Sequence, residues 1–544
     1  MAKIVTVDQM VAIEKKANAS GLSYDQMMEN AGKAVAERIL SVWPLAKEWR
    51  ILILVGPGNN GGDGLVAGHY LATSGANVSY YLLKERTEDD ANLNRVREMD
   101  ATIMVAGSDR GSRGLNKLID SSDLVIDALL GTGFRLPLRG EAQTLLKKAG
   151  VRIDQRTKRP FVAAIDCPSG IDCDSGEAAS ECIVADITVT LAAVKIGLLS
   201  LPGANFTGKI FVGEIGLNAK NSRLDELDLE MMDAALAHVW LPQRARDAHK
   251  GTFGRVLIIA GSINYPGAAV LAASGAYRSG SGLVTLAIPE PIYPPLVSSL
   301  PEATWIVLPH DQGVISSGAV DVLEESFTTT QALLVGPGFS QERSAEQFIR
   351  KLLTGSGSGE GIGFLDSGQT SVPIQLPPLV IDADALKLLV EIEGWESLIP
   401  TNSILTPHPG EMSALTGLSV ERIQEGRVET AQEWSTKWGH IVVLKGAFTV
   451  IASPDGRTMV IPIATAALAS AGTGDVLAGI IVGLLGQGLT AYKAAALGAY
   501  LHGRAGELAA EVYQTTASVI AGDIADALSD AIVEVEAARH PRVQ

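Results

Sequence analysis

The sequence predicts an α/β protein with two successive domains, each organised around a mainly parallel sheet. Three observations favour this prediction. The 544 residues exceed what a single hydrophobic core usually serves. Short apolar runs alternate with helical patterns along both halves of the chain, as parallel strands and their crossover helices do. Glycines or acidic residues follow many of these runs directly, and ligands of such sheets bind at the carboxyl ends of the strands.

Composition and charge narrow the function classes. A hydrophobic content of 47% with 57 glycines suits packed domains with many tight turns. A net charge of −17 argues against nucleic acid or an anionic membrane surface as the main partner. We see no signal peptide in MAKIVTVDQM, and apolar runs such as 476–485 fall short of the about 18 residues of a membrane span. Cys167, Cys173 and Cys182 fit no zinc spacing. We therefore expect a soluble cytoplasmic protein with reduced thiols.

The first predicted domain covers residues 1–218 and opens with helices. Apolar positions at helical spacing predict two helices within 6–41, separated at Gly21. A strand over 50–55, a loop from Gly56 and a helix over 65–74 follow. The remaining predicted strands are 77–83, 124–129, 161–165, 187–191 and 209–212. The polar, acidic segment 218–233 is interpreted as a linker.

The second predicted domain covers residues 225–540, and its α/β series begins at Lys250. A hairpin is predicted from 448–452 and 459–461 around Pro454-Asp-Gly456. Gly355 to Gly363 is rich in glycine and serine and predicts a surface loop. The other predicted strands are 255–259, 283–288, 332–335, 379–381, 404–405 and 441–444.

The stretch after the strand 50–55 carries the first functional signal. Gly56-Pro-Gly-Asn-Asn-Gly61 fits the dinucleotide pattern G-x-G-x-x-G, which is a weak signal alone. Its continuation to Gly64 adds a carboxylate to two amides, which can bind a polar ligand or a hard cation through oxygen. An Asx-rich turn is the structural alternative.

Two further stretches, Asp127 to Gly133 and Asp166 to Asp172, place polar residues at neighbouring strand ends. Together with Met28-Glu-Asn-Ala-Gly32 and Lys195-Ile-Gly197, the set resembles the NAD(P)H-hydrate epimerase family, also called the YjeF N-terminal domain, over roughly residues 1–218. The resemblance implies a Rossmann-like three-layer domain that interconverts the R and S forms of hydrated NADH and NADPH. It implies potassium ligands at Asn60, Asp127 and Ser169. It implies substrate contacts at Asn59, Asn60, Gly61, Gly62, Asp63, Gly131, Thr132, Gly133, Phe134, Arg135, Leu136, Pro137 and Asp166.

Inverting the C6 centre of the nicotinamide ring requires its C–O bond to break and re-form, or the ring to open. A carboxylate such as Asp166 can carry the proton in either case. Lys84, just past a predicted strand, is a second candidate, and a solvated lysine is the alternative interpretation.

In the second half, Ala471-Gly-Thr-Gly-Asp475 leads straight into the apolar stretch 476–485 and predicts the start of a helix. A helix N-terminus presents unpaired N–H groups and a partial positive charge, and small residues let a phosphate approach the backbone. Asp475 is then a candidate base for a hydroxyl that accepts a phosphoryl group. The alternative is a tight turn in which Asp475 is the N-cap.

Lys250-Gly-Thr-Phe-Gly254 and Thr406-Pro-His-Pro-Gly-Glu411 precede this motif. The combination resembles the NAD(P)H-hydrate dehydratase family of the ribokinase-like superfamily, over roughly residues 225–540. The resemblance implies that Asp475 is the base and that phosphorylation turns the C6 hydroxyl of the S form into a leaving group. It implies hydrate contacts at Ala268, Gly338, His408 and Asp475, and nucleotide contacts at Lys445, Gly446, Ala447, Phe448, Thr449 and Gly474. Thr465 and Ser470-Ala471 depart from the family pattern, which bears on affinity or nucleotide choice rather than on the reaction class.

The two motif sets predict a bifunctional repair enzyme in which the epimerase supplies the S form to an ADP-dependent dehydratase that releases AMP and phosphate. ADP is favoured over ATP because the two-domain fusion is typical of bacterial members, and Mg²⁺ should accompany the nucleotide. The resemblance also implies a homo-oligomer, such as a tetramer or higher. Two alternatives remain: a small-molecule kinase of the ribokinase-like class, and a first domain that only binds nucleotides or proteins.

Overall fold

The computed structural model describes residues 2–218, 220–355 and 374–538. The chain divides into two compact units, Ala2–Met231 and Met232–Gln544. Each unit is built from strands and helices in alternation around a mainly parallel sheet, which confirms the predicted α/β class. The bounds 1–218 and 225–540, which concern function, stay predictions.

The first unit has a seven-stranded sheet in the order β4-β3-β2-β5-β6-β7-β9, with every neighbouring pair parallel. In the same unit, β1 pairs antiparallel with β10 and parallel with β8. The strands are β1 Ala2–Val5, β2 Arg50–Val55, β3 Asn77–Leu82, β4 Thr102–Val105, β5 Leu124–Ala128, β6 Phe161–Ile165, β7 Ile187–Leu191, β8 Val194–Lys195, β9 Lys209–Gly213 and β10 Leu229–Met231. The α-helices are α1 Val7–Ala19, α2 Tyr24–Val42, α3 Asn59–Thr73, α4 Ala91–Arg97, α5 Arg113–Ser121 and α6 Gly140–Asp154. Short 3-10 helices cover Pro44–Glu48, Ala106–Ser108, Arg110–Ser112, Ile196–Leu199, Gly203–Phe206 and Leu224–Glu226.

The two predicted N-terminal helices are confirmed. Helix α1 starts at a capping box in which Thr6 and Gln9 bind each other's backbone N–H groups. Helix α2 starts at Ser23, whose side chain accepts a hydrogen bond from the N–H of Gln26. Gly21 lies between the helices at φ +101°, a backbone conformation that glycine adopts readily.

The predicted loop from Gly56 is wrong beyond Gly58, because α3 begins at Asn59 rather than at residue 65. Its glycines are poor helix formers, but they let the helix press against the sheet. A Cβ added at Gly64 would lie 2.6 Å from Cβ of Ala128, and one at Gly68 would lie 2.3 Å from the hydroxyl of Tyr80. Close packing against the sheet therefore outweighs local propensity.

The segment 218–233, interpreted as a linker, also differs from the prediction. It contains a 3-10 helix and the strand β10. Lys3 of β1 fixes this region, since its Nζ donates to Glu230 at 2.6 Å and to the carbonyl of Leu227 at 2.6 Å. A polar composition here reflects a half-exposed strand rather than a free connection.

The second unit has a sheet in the order β13-β12-β11-β16-β17-β18-β19-β20-β21. The pairs from β13 to β19 are parallel, and β19, β20 and β21 pair antiparallel, which confirms the predicted hairpin. The strands are β11 Arg255–Ile259, β12 Leu283–Pro289, β13 Thr304–Leu308, β14 His310–Asp311, β15 Val314–Ile315, β16 Ala332–Val335, β17 Leu379–Ile381, β18 Ile404–Leu405, β19 Ile441–Leu444, β20 Val450–Ala452 and β21 Thr458–Val460. The α-helices are α7 Ala234–Trp240, α8 Gly267–Arg278, α9 Tyr293–Leu296, α10 Ala319–Phe327, α11 Arg343–Thr354, α12 Asp384–Leu389, α13 Pro409–Thr416, α14 Val420–Glu425, α15 Arg427–Trp438, α16 Thr473–Gly486, α17 Ala491–Tyr513 and α18 Ala521–Ala537. Short 3-10 helices cover Lys250–Phe253, Glu290–Ile292, Trp395–Ser397 and Ala466–Leu468.

Helix α16 is the central helix of the second unit, and residues 476–486 are all buried. It packs closely on α8, because Gly479 brings its backbone near Ala272: a Cβ there would lie 1.9 Å from the Ala272 carbonyl oxygen. Within the described ranges, no helix combines the length and apolar character of a membrane span. Beyond Gly355, the predicted glycine- and serine-rich loop lies outside the described residues.

Two candidate active sites

The first unit contains a cavity of about 380 Å³ beside the ends of β2, β5 and β6. Eight predicted substrate or catalytic residues line it: Asn59, Asn60, Asp63, Gly131, Thr132, Gly133, Phe134 and Asp166. Helix α1 contributes Met10, Val11 and Glu14, and Lys195 closes another side. Five other predicted contacts are not in the described lining: Gly61, Gly62, Arg135, Leu136 and Pro137. Leu136 and Pro137 instead line a separate depression with Glu177 and Glu181.

The three predicted potassium ligands come together at the end of β5. The Ser169 hydroxyl donates to Oδ1 of Asp127 at 2.6 Å, and the Ser169 N–H donates to Oδ2 at 2.8 Å. The Asn60 amide donates to the carbonyl of Leu130 at 2.8 Å. Oδ1 of Asn60 is buried and has no hydrogen-bond partner among the described residues. An orphaned oxygen beside a carboxylate, a hydroxyl and a carbonyl fits a hard cation.

Asp166 follows β6 in an unusual backbone conformation, with φ at +65°. Its carboxylate forms an ion pair with Lys195 and accepts the N–H of Leu191 at 3.2 Å. Lys195 is 2% exposed, and its Nζ also donates to the carbonyl of Leu191 at 2.9 Å. Burial lowers the pKa of Lys195, but Asp166 raises it overall, so the ammonium form is favoured. Strained residues of this kind persist at functional sites.

Lys195 lies in the motif Lys195-Ile-Gly197, but the motif alone predicts no role for its side chain. The signal was present, because a single lysine in the apolar run 191–199 is rarely buried unless it is paired. Lys84, the lysine suggested from position alone, is 62% exposed and lies 4.0 Å from Glu141. This geometry agrees with the solvated-lysine interpretation.

In the second unit, the N-cap of α16 is Gly472, at φ +88°, so the interpretation of Asp475 as the N-cap is wrong. Asp475 lies in the first turn, three residues after the N-cap, and no side chain within the described ranges caps the helix. A Cβ at Gly472 would lie 2.6 Å from Leu271. The N–H of Thr473 bonds to the carbonyl of Ser470 at 3.5 Å, whereas the N–H groups of Gly474 and Asp475 have no acceptor among the described residues and are available for an anion.

The carboxyl group of Asp475 is suited to proton transfer near neutrality. Burial raises its pKa, the carboxylate of Asp382 adds to the rise, and Lys445 opposes it, which leaves the pKa at about 7. General bases work best when their pKa lies near the working pH.

Lys445 and Asp382 form a buried ion pair behind this turn. Nζ of Lys445 lies 2.7 Å from Asp382 and 3.7 Å from Glu411. Asp382 is 1% exposed and also accepts the hydroxyl of Thr406 at 2.6 Å. Burial lowers the pKa of Lys445, but Asp382 and Glu411 raise it overall. A Cβ at Gly474 would lie 3.6 Å from Nζ, so the predicted nucleotide contacts Lys445 and Gly474 are neighbours.

His408 is the N-cap of α13. Its Nδ1 accepts the N–H groups of Gly410 at 2.9 Å and Glu411 at 3.2 Å, while the Glu411 carboxylate accepts the His408 N–H at 2.8 Å. Burial lowers the pKa of His408, with Lys445 adding to the effect. The side chain is still 51% exposed. The cap thus fixes a neutral imidazole while half of the ring stays open to a ligand.

The remaining predicted residues form two groups. Ala268 and Gly338 are adjacent, since a Cβ at Gly338 would lie 2.8 Å from Cβ of Ala268. The connection between β19 and β20 holds Gly446, Ala447, Phe448 and Thr449, with Phe448 at φ +53°.

Sequence reasoning missed Arg427, which stabilises this connection. Its guanidinium donates to the carbonyls of Leu444 at 2.9 Å and Lys445 at 3.2 Å. Arg427 starts helix α15, and nothing in its sequence context indicates this contact.

Comparison with known proteins identifies both units. The family model of NAD(P)H-hydrate dehydratase matches residues 256–530, and the model of the YjeF-related protein N-terminus matches 24–197. A bifunctional NAD(P)H-hydrate repair enzyme from Moorella thermoacetica is 37% identical over 537 residues, covering 96% of each chain. One from Escherichia coli is 32% identical over 500 residues, covering 92% of this chain and 88% of the relative.

A solved structure of the ADP/ATP-dependent NAD(P)H-hydrate dehydratase from Bacillus subtilis is 32% identical, with a TM-score of 0.45. It covers 56% of this chain and 98% of its own length. The family models match the two units in the order that the motifs predict, and the relatives span nearly the whole chain. The chain therefore belongs to the bifunctional NAD(P)H-hydrate repair enzymes, which combine an epimerase with a dehydratase.

Proposed function

We propose that the first unit interconverts the R and S forms of hydrated NADH and NADPH, and that the second dehydrates the S form with ADP as the phosphoryl donor. The observation that carries the dehydratase assignment is Asp475, a carboxyl with a pKa of about 7 on the first turn of a helix that no described side chain caps. AMP, phosphate and the repaired dinucleotide are the products.

In the dehydratase, Asp475 accepts the proton of the C6 hydroxyl, which makes that oxygen nucleophilic. The free N–H groups at the start of α16 stabilise the negative charge of the phosphoryl group as it is transferred. The C6–O bond then breaks with its electron pair on the phosphate as the ring nitrogen donates its lone pair. Loss of a proton from C5 to solvent forms the C5–C6 double bond of the repaired ring. Asp475 must be ionised to start this sequence, and a carboxyl with a pKa of about 7 is substantially ionised at neutral pH.

The nucleotide is proposed to bind at Lys445, Gly446, Ala447, Phe448, Thr449 and Gly474, and the hydrate at Ala268, Gly338, His408 and Asp475. The Lys445 ammonium beside Gly474 supports a phosphate site there. Mg²⁺, when bound, neutralises the nucleotide phosphates. ADP rather than ATP remains part of the proposal.

In the epimerase, Asp166 is proposed to move the proton at C6. Potassium, when bound by Asn60, Asp127 and Ser169, supplies a fixed positive charge at the cavity edge. The unpartnered Oδ1 of Asn60, orphaned among the described residues, supports this ligand set. The proposal also includes a homo-oligomer, such as a tetramer or higher, and a cytoplasmic location.

One assay tests both activities. Purified full-length protein is given a mixture of R and S hydrate with ADP or ATP, and recovery of NADH absorbance is followed. Complete conversion requires both activities, whereas conversion that stops when the S form is consumed rules out the epimerase. Accumulation of a stable phosphorylated product would instead indicate a small-molecule kinase. Equal epimerisation in potassium and in sodium buffers would contradict the potassium assignment.

A further inference from the structure

Two carboxyl groups face the epimerase cavity, and they differ in their partners. Asp166 is ion-paired with Lys195. Asp63 lines the same cavity and is 7% exposed, yet it has no hydrogen bond or salt bridge to any residue in the described ranges. Buried carboxyl groups are normally satisfied, so an unpartnered one directed into a cavity indicates contact with a ligand.

The packing of α3 explains why Asp63 is directed into the cavity. Its neighbours Gly62 and Gly64 are pressed against other parts of the unit: a Cβ at Gly62 would lie 2.7 Å from Met28, and one at Gly64 would lie 2.6 Å from Ala128. These two faces of the helix are filled. The Asp63 side chain lies between these faces and lines the cavity, as Glu14 and Lys195 also do.

The surroundings favour opposite protonation states for the two groups. Burial raises the pKa of Asp63 well above its usual range, Asp166 and Glu14 add to the rise, and Lys195 opposes it. Burial also raises the pKa of Glu14, the remaining carboxyl that faces the cavity. Lys195 donates to Asp166, so the carboxylate form of Asp166 is the one that is paired. Two titratable groups held in opposite states are the usual arrangement of an acid and a base.

We propose that Asp63 is the acid and Asp166 the base of the epimerase, and that Lys195 is the positioning residue that keeps the two roles apart. This inference rests on the epimerase function proposed above. It names the proton donor of that reaction and assigns a role to a lysine buried beside the base.

Both possible routes of epimerisation use these two carboxyl groups. In the first, Asp63 gives its proton to the C6 hydroxyl, the C6–O bond breaks with its electron pair leaving on water, and the N1 lone pair forms a C6–N1 double bond. Water then adds to the opposite face of C6, the π electrons return to N1, and the added water loses a proton to Asp166, from which a proton returns to Asp63 through solvent.

In the second route, Asp166 takes the hydroxyl proton as C6=O forms, and Asp63 protonates N1 as the C6–N1 bond breaks. Rotation about the C5–C6 bond turns the other face of the aldehyde toward N1. Ring closure then returns the N1 proton to Asp63 and the Asp166 proton to the oxygen, so both carboxyl groups are restored directly. Neither route consumes another reactant.

The test compares Asp63→Asn with Asp89→Asn, an exposed control in the same unit. Full-length protein is assayed on purified R hydrate, and on S hydrate in parallel. We expect kcat for R to S conversion to fall by about 100-fold or more in Asp63→Asn, with KM changed by less than about threefold. S-form dehydration should be unchanged in both variants, which shows that the second unit is unaffected. A thermal unfolding profile equal to that of the unmodified protein shows that the first unit is folded.

Lys195 is tested by Lys195→Met, with Lys84→Met as the exposed control and Lys195→Arg as the conservative variant. R-form activity should fall at high pH, where Asp63 loses the proton that it donates. Because Lys195 lowers the pKa of Asp63, removing Lys195 should move this high-pH limb of the activity profile to still higher pH. A purely structural role would lower the rate without moving that limb. Lys195→Arg should restore the limb toward its original position.

If the unmodified protein does not convert R hydrate to S hydrate, the epimerase function itself is refuted. If the unmodified protein is active, a fall in kcat of less than threefold in Asp63→Asn overturns this inference alone. A change confined to KM would do the same, because Asp63 would then bind substrate without donating a proton. An unmoved high-pH limb in Lys195→Met would remove the role of Lys195.

Discussion

The two units contain the same arrangement of charged side chains but differ in which carboxyl group is accessible. Each has a buried lysine paired with an aspartate, and each keeps a second carboxyl whose raised pKa is caused first by burial. In the first unit the pair is Lys195–Asp166, and in the second it is Lys445–Asp382. The second carboxyl is Asp63 in one site and Asp475 in the other.

The paired aspartates differ in what they can reach. The Asp166 side chain is 14% exposed and lines its cavity, whereas that of Asp382 is 1% exposed and is held by Lys445 and Thr406. Asp382 is therefore available to orient Lys445 but not to take a proton from a substrate. An ion pair alone therefore does not identify the base of a site. The carboxylate must also be exposed to the cavity in which the ligand would bind.

The largest expected effect comes from Asp475→Asn. Removing the proposed base should lower nucleotide-dependent recovery of NADH from S hydrate by about 1,000-fold. Conversion of R to S, followed chromatographically, should be unchanged because Asp166 and Asp63 are untouched. Equal loss of both activities would contradict this prediction, since the two sites would then not act separately.

Asp382→Asn should be the most damaging change to stability. It removes the nearer partner of Lys445, whose side chain is 17% exposed and keeps Glu411 at 3.7 Å, so we expect the lower end of the about 3–5 kcal/mol that breaking a buried pair costs. Denaturant unfolding should show this loss in free energy of unfolding. The double variant Asp382→Asn, Lys445→Met should recover much of it, because it removes the stranded charge; no recovery would mean that the ion pair is not the cause.

The pH dependence of the dehydratase should follow Asp475. Its pKa of about 7 implies that S-form turnover falls about tenfold per pH unit below that value, because the base becomes protonated. Lys445→Met should move this acidic limb to higher pH, since Lys445 lowers the pKa of Asp475. If the acidic limb does not move in Lys445→Met, Lys445 does not influence the pKa of Asp475.

Two glycines sharpen the comparison between the catalytic helices. Gly472→Ala should cost about 1–2 kcal/mol in stability, because its φ is +88° and L-residues resist this region. Gly58, the N-cap of α3, has φ at −92°, and no described atom outside its neighbours lies within 4 Å of an added Cβ. Gly58→Ala should therefore stay within about 0.5 kcal/mol. Similar losses of stability in the two variants, measured by thermal unfolding, would contradict this prediction.

The smallest expected change in activity is at the proposed potassium site. Asn60→Ala removes one oxygen ligand and should weaken potassium activation of R-form turnover by about fivefold, or about 1 kcal/mol. S-form turnover at saturating potassium provides the control. An unchanged potassium titration would exclude Asn60 as a ligand.

The sequence predicted buried elements better than edges. Strands such as β2 and β6 are almost entirely apolar because both of their faces are covered. Strands β4 and β13 were missed, since they lie at sheet edges and remain partly exposed. The start of α3 was also missed, because its glycines reveal their packing role only against the sheet.

Candidate site residues could be proposed from the sequence where one motif contains them, as in Gly472 to Asp475, and this assignment stays a prediction. The pairing of Asp166 with Lys195 crosses 29 residues and depends on how β6 and β8 come together. Local pattern contains no such information. The same is true of Asp382 and Lys445, which are 63 residues apart.

The helical state of Asn59 to Asp63 has a consequence for binding thermodynamics. In a flexible loop, fixing the backbone of each residue costs about 1–2 kcal/mol of conformational entropy when a ligand arrives. Here the backbone is already ordered by α3 in the free protein. At this proposed hydrate site, binding should therefore not require the wall of the cavity to be ordered first, and hydrate affinity should depend on contacts rather than on loop closure.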